Sequence, residues 1–556
     1  MTTTIFRNGS ILTEDVLDGD VEAPYAASVA VKDGVIVAIG DDEVAAFLDD
    51  ADRVIDLAGR TLMPGFVDAH IHAFQGGRER NACDLTGEDT AEECYTVIAD
   101  YHAAHPDGWL VGGGWSMESF PNGLARRESL DEIVGARPAF LPNRDHHSAW
   151  VSTDALRLAG VDASTPDPTG GRIERDPDGE PTGMLHEHAM KLVEAVMPAY
   201  TPAQYDAGLA TAAEYLASLG LVGWQDVFLK PYDVEPEPHL AYVRADASGS
   251  LTAKVRASLW WDPNVQAEGV ADEVARLVAI RDEANAAGTR YGIHSVKVMV
   301  DGVAETYTAS MLEPYLDGEG NPTGNRGIPF LSPELLTRVT VALDAAGFQV
   351  HIHALGDRAV RDSLDAYQAA REANGDRDLR HHIVHLQFID EAEIPRFGEL
   401  GVTANIQALW AAHDPQTDAL TMPYVGEERA ERMYPFGELL RAGAPFAGGS
   451  DWPVSTPNPL EAIHVAVNRK ETGASSDTEP LGKDQGIPLI PMLRAYTAGS
   501  TWLNRLEGSS GAIRIGAAAD LVVLDRDLLA APTEEIGLTK VDHTFVDGVE
   551  VFAREA

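Results

Sequence analysis

Alternating and β-branched runs near both ends of the chain predict strand-rich regions. Residues 28–31 and 35–39 flank an Asp-Gly turn, a pattern typical of a β-hairpin. The segment 544–552 repeats this pattern around a second Asp-Gly pair. We therefore expect the two ends, residues 1–61 and 505–556, to pair in one small composite β-sandwich.

The middle of the chain alternates short apolar runs with alanine-rich runs of helical period. Residues 292–300 and 348–353 are predicted strands, and 333–346 between them is a predicted helix. Such alternation indicates an α/β fold with a parallel sheet, and over residues 62–504 the economical solution is a closed (β/α)₈ TIM barrel. Residues 75–200 fit the repeat poorly and are predicted to be an insertion after the first barrel strand.

Composition adds a strong acidic bias to this picture. The 556 residues, too many for one domain of common size, carry 88 acidic and 42 basic side chains, a formal charge of −46. Such a charge disfavours nucleic acid and anionic membranes as partners. Only 8 of the basic residues are Lys, against 34 Arg. Adaptation to high salt is one interpretation of this acidic protein, and a GC-rich genome is the other.

The two cysteines, Cys83 and Cys94, do not make a disulfide framework in a chain of this length. The N-terminal residues lack an apolar run of signal-peptide length, and no apolar stretch reaches the about 18 residues of a membrane span. These features predict a cytoplasmic protein. A homodimer is compatible with the sequence, although no residue specifies one.

A His-x-His pair provides the first candidate chemistry. On a strand, the side chains of His70 and His72 point to the same side, roughly 6.5–7 Å apart. The loop that follows would place them at the carboxyl mouth of a barrel strand, where barrel enzymes keep their active sites. By itself the pair is a weak signal for a metal.

Three further residues strengthen the metal hypothesis. His353, His385 and Asp451 each follow an apolar run and precede a loop. Histidine nitrogens and a carboxylate oxygen at strand ends are a common ligand set for zinc or a similar divalent ion.

Lys297 lies inside the apolar strand 292–300 of a chain that contains few lysines. A buried lysine loses its proton readily, and a neutral amine can add carbon dioxide to become a carbamate. The alternative is a lysine at the barrel rim that pairs with a carboxylate such as Asp301.

The order of these residues resembles the amidohydrolase superfamily, and within it amidohydrolase family 3, which includes YtcJ-like proteins and N-substituted formamide deformylases. The resemblance spans nearly the whole chain and is carried by five segments: 63–72 (Met-Pro-Gly-Phe-Val-Asp-Ala-His-Ile-His), 296–302 (Val-Lys-Val-Met-Val-Asp-Gly), 353–359 (His-Ala-Leu-Gly-Asp-Arg-Ala), 449–454 (Gly-Ser-Asp-Trp-Pro-Val) and 516–525 (Gly-Ala-Ala-Ala-Asp-Leu-Val-Val-Leu-Asp). Family members often carry Glu before the histidine that matches His385, whereas Val384 stands here.

The resemblance implies a distorted barrel with one or two divalent metals, zinc first among them. The implied metal ligands are His70, His72, a carbon dioxide-derived carbamate on Lys297, His353, His385 and Asp451. Asp451 and His385 are the predicted catalytic residues.

Four other residues receive weaker predictions. His147 matches a family histidine near the substrate, but a plain loop histidine is the alternative. Trp115 is predicted to bind substrate, with aromatic packing inside the insertion as the alternative. Asp68 is expected to orient a ligand histidine, and His351 to be packed or to lie just outside the ligands.

The resemblance implies a hydrolase acting on carbon–nitrogen, but not peptide, bonds. Its substrate would be a small amide, an N-substituted formamide or a cyclic amide, cleaved by metal-activated hydroxide. A mononuclear deaminase is one alternative, although Gly356 replaces the Glu that such sites commonly carry. An esterase on the same fold and a metal-binding scaffold without catalysis are the others.

Overall fold

The computed structural model describes residues 2–19, 27–144, 146–168, 171–229 and 238–555. The first elements of the chain are short strands and two short helices: β1 (Thr3–Arg7), β2 (Ser10–Ile11), α1 (Glu14–Leu17), β3 (Val29–Lys32), β4 (Val35–Ile39), α2 (Asp41–Ala45), β5 (Arg53–Asp56) and β6 (Thr61–Pro64). Strands β3 and β4 pair antiparallel, as the Asp-Gly pattern predicted.

The first barrel strand, β7 (Phe66–Ile71), leads into α3 (Ala73–Arg80) and then into an inserted unit. The elements of that unit are β8 (Cys83–Asp84), α4 (Ala91–Ala104), β9 (Leu110–Gly113), α5 (Arg127–Val134), β10 (Ala139–Pro142), β11 (Ser148–Val151), α6 (Thr153–Ala159), β12 (Gly171–Arg175), β13 (Pro181–Glu187) and α7 (Lys191–Glu194). The strands form one six-stranded sheet in the order β12-β13-β11-β10-β9-β8. Cys83 and Cys94 are buried there as free thiols.

The other barrel elements follow: α8 (Pro202–Ser218), β14 (Leu221–Leu229), α9 (His239–Ser248), β15 (Lys254–Trp260), α10 (Val270–Ala287), β16 (Tyr291–Met299), α11 (Pro333–Ala345), β17 (Gln349–Ala354), α12 (Asp357–Asn374), β18 (His382–His385), α13 (Ile394–Leu400), β19 (Thr403–Ile406), α14 (Met422–Val425), α15 (Glu427–Glu431), α16 (Phe436–Arg441), β20 (Phe446–Gly448), α17 (Pro459–Asn468), α18 (Leu489–Arg494) and α19 (Ser500–Leu503). The eight barrel strands are parallel, in the order β20-β19-β18-β17-β16-β15-β14-β7. This sheet confirms the predicted (β/α)₈ class.

The barrel closes where β7 and β20 end. Among the described residues, no ladder of hydrogen bonds pairs these two strands. Two backbone bonds join the residues at and just beyond their ends: Asp451 N–H donates to the His70 carbonyl and His72 N–H donates to the Trp452 carbonyl, both at 2.8 Å. We call this pair of bonds the seam.

Helix α8 fixes the segment that follows the His-x-His pair. The helix begins with a capping box between Thr201 and Gln204, and Pro202 occupies its first turn. A side chain at Gly77, in α3, would lie 2.0 Å from the carbonyl oxygen of Gly208 in α8. Glycine therefore permits α3 to pack directly against α8.

The chain ends with β21 (Leu521–Leu524), β22 (Val541–Val546) and β23 (Val549–Ala553). They join N-terminal strands in a sheet of order β2-β6-β21-β22-β23, beside a second sheet of order β4-β3-β1-β5. Both sheets contribute to one apolar cluster, in which Phe6 and Phe545 meet edge to face at 5.2 Å. The two ends of the chain thus share one sheet and one apolar cluster.

An ion cluster around the buried Lys254 joins these C-terminal residues to the barrel. At the start of β15, Lys254 Nζ lies 2.6 Å from Asp520 Oδ2 and 2.8 Å from Asp547 Oδ1. It also donates to the Ser509 carbonyl at 2.6 Å. Within the described ranges, no helix has the length and apolarity needed to cross a bilayer.

Candidate metal centre

Three residues converge where the barrel closes. His70 and His72 stand at the end of β7, and Asp451 follows β20. His70 Nε2 lies 2.9 Å and His72 Nε2 lies 2.8 Å from Asp451 Oδ1. In the part of the chain that the structure describes, this is the group of His, Cys, Asp and Glu side chains whose ligand atoms all lie within 4.8 Å of one another. Their chemistry and spacing fit a divalent cation.

The electrostatics of Asp451 favour its charged form. Burial alone would raise the pKa of this carboxyl. Its close contacts with His70, and after it with His72, outweigh burial and hold the pKa well below its usual range. Asp451 also has a φ of +59°, a left-handed backbone that is unfavourable for a residue with a side chain.

The two other predicted histidine ligands lie beside this group. The rings of His353 and His385 are 4.4 Å apart, and the His385 ring is 5.1 Å from that of His70. His353 Nε2 is 3.4 Å from the Gly302 carbonyl oxygen. His385 Nδ1 is buried and has no hydrogen-bond partner among the described residues. Such a nitrogen is suited to bind a cation.

Lys297 completes the set on β16, with 2% of its surface exposed. Burial lowers the pKa of its amine to about 7, against a weaker opposing effect of Asp451. The expected alternative partner, Asp301, instead accepts backbone N–H groups of Ser310 at 2.8 Å and Gly356 at 2.9 Å. No carboxylate among the described residues forms an ion pair with Lys297, so an amine that loses its proton near neutral pH lies beside the histidines.

Asp68 acts on the site through the backbone. Its carboxylate accepts the N–H of His70 at 2.9 Å and that of Ser450 at 3.1 Å. It therefore ties the backbone of His70, at the end of β7, to the loop that carries Asp451. Burial raises the pKa of Asp68 to about 7.

The ring of His70 is held instead by His351. His70 Nδ1 lies 2.7 Å from His351 Nε2, and His351 Nδ1 lies 3.0 Å from Gln225 Oε1. Sequence reasoning placed His351 near the ligands but missed Gln225. A buried glutamine inside an apolar strand is the signal that could have identified it.

Two further residues at the mouth were also missed. The Trp410 ring stacks on His385 at 5.4 Å and 17°, so it forms a wall beside a predicted ligand. Gln407 Oε1 accepts the His385 backbone N–H at 2.8 Å. Both follow β19, a strand that contributes no predicted ligand.

His147 and Trp115 occupy very different places. His147 Nδ1 lies 2.9 Å from Glu187 Oε1, and its charge is among the influences that lower the pKa of His353, after burial and Lys297. His147 thus acts on His353 electrostatically from the insertion. Trp115 is fully buried, donates its indole N–H to the Leu141 carbonyl at 2.8 Å and lies in the insertion's apolar core. This environment agrees with packing, the alternative to substrate binding.

The chain is similar to proteins of one family over nearly its whole length. The model of the amidohydrolase family matches residues 53–552. The putative amidohydrolase YtcJ of Bacillus subtilis is 28% identical, over 96% of this chain and 97% of that protein. The N-substituted formamide deformylase of Arthrobacter pascens is 29% identical, over 99% of both chains.

Solved structures show the same fold. An uncharacterized metal-dependent hydrolase from Pyrococcus horikoshii OT3 superposes with a TM-score of 0.74 at 23% identity, covering 96% of this chain and 99% of that one. The family match covers far more than half of the chain. The chain belongs to the amidohydrolase family and is a hydrolase.

Proposed function

We propose that this hydrolase cleaves the C–N bond of a small amide, an N-substituted formamide or a cyclic amide. The observation that carries the proposal is the convergence of His70 Nε2 and His72 Nε2 on Asp451 Oδ1 at the carboxyl end of the barrel. Similarity to the N-substituted formamide deformylase supports the class of bond.

The donor set supports one or two divalent ions, with zinc as the first candidate. The residues that would hold them are His70, His72, Lys297 as a carbamate, His353, His385 and Asp451. The bound ion supplies activation of water and polarisation of the scissile carbonyl. The unpartnered His385 Nδ1 and the buried amine of Lys297 both fit such a role.

The carbamate requires a neutral amine. The Lys297 nitrogen forms a bond to the carbon of carbon dioxide, and one proton leaves to solvent, which yields an anionic carboxylate-like group. With its pKa near 7, the amine is available for this step at neutral pH. The carbamate would also replace a costly buried cation with an anion among ligands for metal.

Asp451 is the proposed proton carrier. Its Oδ1 lies between His70 Nε2 and His72 Nε2, and its low pKa keeps it ionised, the form that can accept a proton. It would return that proton to the leaving nitrogen, because an amine leaves only when protonated. His385, whose ring lies 5.1 Å from that of His70, is the second proposed catalytic residue, and Trp410 and His147 would border the substrate.

An esterase would use the same residues, so the substrate panel must separate the two reactions. We expect purified protein with bound metal to hydrolyse N-substituted formamides or cyclic amides faster than matched esters. Esters cleaved with no amide turnover would contradict the proposal. Ammonia release from an amino-substituted ring would favour the deaminase.

Two variants test the assigned roles. Asp451→Asn should retain the fold and lose turnover by several orders of magnitude, on the scale that removal of a catalytic proton carrier produces. Lys297→Ala should lose metal and regain part of it with small carboxylates. Asp376→Asn, an exposed carboxylate beside Arg371, is the matched control. Near-normal turnover of Asp451→Asn would overturn the mechanism.

A further inference from the structure

A line of buried polar side chains runs through the barrel interior to the metal centre. Gln349, Gln225, His351 and His70 come from three different strands, and each is at most 1% exposed. Gln349 lies at the start of β17, the end of the barrel opposite the site. Each of the four is hydrogen-bonded to the next, so their donor and acceptor roles constrain one another.

Two backbone carbonyls fix the order of donors and acceptors along this line. Gln349 Nε2 lies 2.8 Å from the Arg380 carbonyl and 3.0 Å from that of Leu503. A carbonyl can only accept, so this end of Gln349 must be the amide nitrogen. Its Oε1 then accepts from Gln225 Nε2 at 3.0 Å.

Gln225 continues the same order of donors and acceptors to His351. Its Nε2 also donates to Ser295 Oγ at 3.1 Å, which leaves Oε1 as the atom that faces His351 Nδ1 at 3.0 Å. His351 Nδ1 must therefore carry a proton. Its Nε2, 2.7 Å from His70 Nδ1, is then the remaining atom to assign.

Charge decides that assignment. Within the described residues, the hydrogen-bond partners of His351 are Gln225 and His70, and neither is a carboxylate. A doubly protonated His351 would be a buried cation without a counter-ion, which is strongly disfavoured. His351 Nε2 is thus an acceptor, and His70 Nδ1 is the donor.

We propose that His351, Gln225 and Gln349 are positioning residues that hold His70 in the Nδ1-protonated tautomer. The Nε2 lone pair of His70 then faces Asp451 Oδ1 at 2.9 Å, and two acceptors this close are stabilised by a cation that both can bind. The inference rests on the proposed metal site, and it gives three buried polar side chains of the barrel a role in orienting a ligand.

The experiment measures zinc affinity of the full chain by competition with a chromophoric chelator after metal removal. His351→Phe removes the acceptor and keeps a ring, and His351→Gln restores an acceptor. His382→Phe is the matched control, because its ring lies 4.0 Å from that of His351 without a hydrogen bond to His70.

We expect His351→Phe to weaken zinc binding about 10–100-fold, the usual effect of losing a group that orients a ligand. His351→Gln should recover most of that loss, and His382→Phe should bind zinc within about threefold of the wild type. Equal affinities of His351→Phe and His382→Phe would overturn the proposal.

A second readout needs neither zinc nor turnover. In ¹⁵N-histidine-labelled, metal-free protein, the His70 resonances, identified by their loss in His70→Gln, should report the Nδ1-protonated tautomer. An Nε2-protonated His70 would refute the inference. Tight zinc binding without amide hydrolysis would instead refute the proposed reaction, so the two failures are distinguishable.

Discussion

Replacing Lys297 by methionine removes a buried amine and keeps the length of the side chain. Burial lowers the pKa of Lys297 from 10.5 to about 7. The unfolded chain retains the ordinary pKa, so between these values it binds more protons than the folded chain. Stability of the metal-free wild type must therefore rise with pH over this interval.

The size of the effect follows from the shift. At 1.36 kcal/mol per pKa unit, the amine costs the metal-free protein at most about 5 kcal/mol at or below pH 7. Lys297→Met lacks the buried amine, so the free energy of unfolding of the variant should exceed that of the metal-free wild type at pH 7. Between pH 7 and 9.5 the difference should shrink by ~3 kcal/mol.

The assay is thermal unfolding in chelator and carbon dioxide-free buffer. If the 556 residues unfold as one unit, the difference in Tm between the two proteins should narrow by about 3 °C from pH 7 to 9.5. Lys254→Met is the control, because Lys254 is buried but paired with Asp520 and Asp547. Breaking that cluster should destabilise the protein by about 3–5 kcal/mol.

A constant difference in Tm across this pH range would refute the reasoning. So would a Lys297→Met protein that is less stable than the metal-free wild type. Either result would mean that the amine keeps its proton at little cost, and the case for a carbamate on Lys297 would lose its physical basis.

Three further predictions concern the insertion and the surface. Trp115→Ala should destabilise the protein by about 3–5 kcal/mol through the lost ring and leave the KM of the folded fraction unchanged; a raised KM with an unchanged Tm would restore the substrate-binding role. His147→Gln should raise KM by about tenfold and Glu187→Gln should raise it by less, and both variants should keep their metal content. Loss of metal in His147→Gln would place His147 among the ligands. The Tm should rise between low and molar KCl, because salt screens the net charge of −46, and a flat response would contradict adaptation to salt.

The sequence was informative where function depends on local pattern. The ligand residues lie at the ends of apolar runs, and a parallel barrel brings all such ends to one face. For that reason His70, His353 and Asp451 could be placed together without coordinates. The hairpin around Asp33 depends on its turn and on residues within a few positions.

The side-chain contacts that hold the ligands could not be predicted from local pattern. His351 and Gln225 are 126 positions apart, and no local pattern signals that they meet. For Trp115 the sequence left substrate binding and packing as alternatives, and its ring packs against Phe120 and Trp150. Side-chain partners across the barrel depend on register, which periodicity does not specify.

The seam gives the proposed metal a second consequence. The two backbone bonds that join the ends of β7 and β20 are made by His70, His72, Asp451 and Trp452, three of which are also proposed ligands. A bound ion would link the ends of β7 and β20, the two neighbouring strands that no ladder of hydrogen bonds joins among the described residues. Loss of the ion should therefore weaken the seam before the rest of the barrel. The amide protons of His72 and Asp451 should then exchange with solvent before those of the interior strands. Metal binding would then stabilise the closed barrel as well as supply its chemistry.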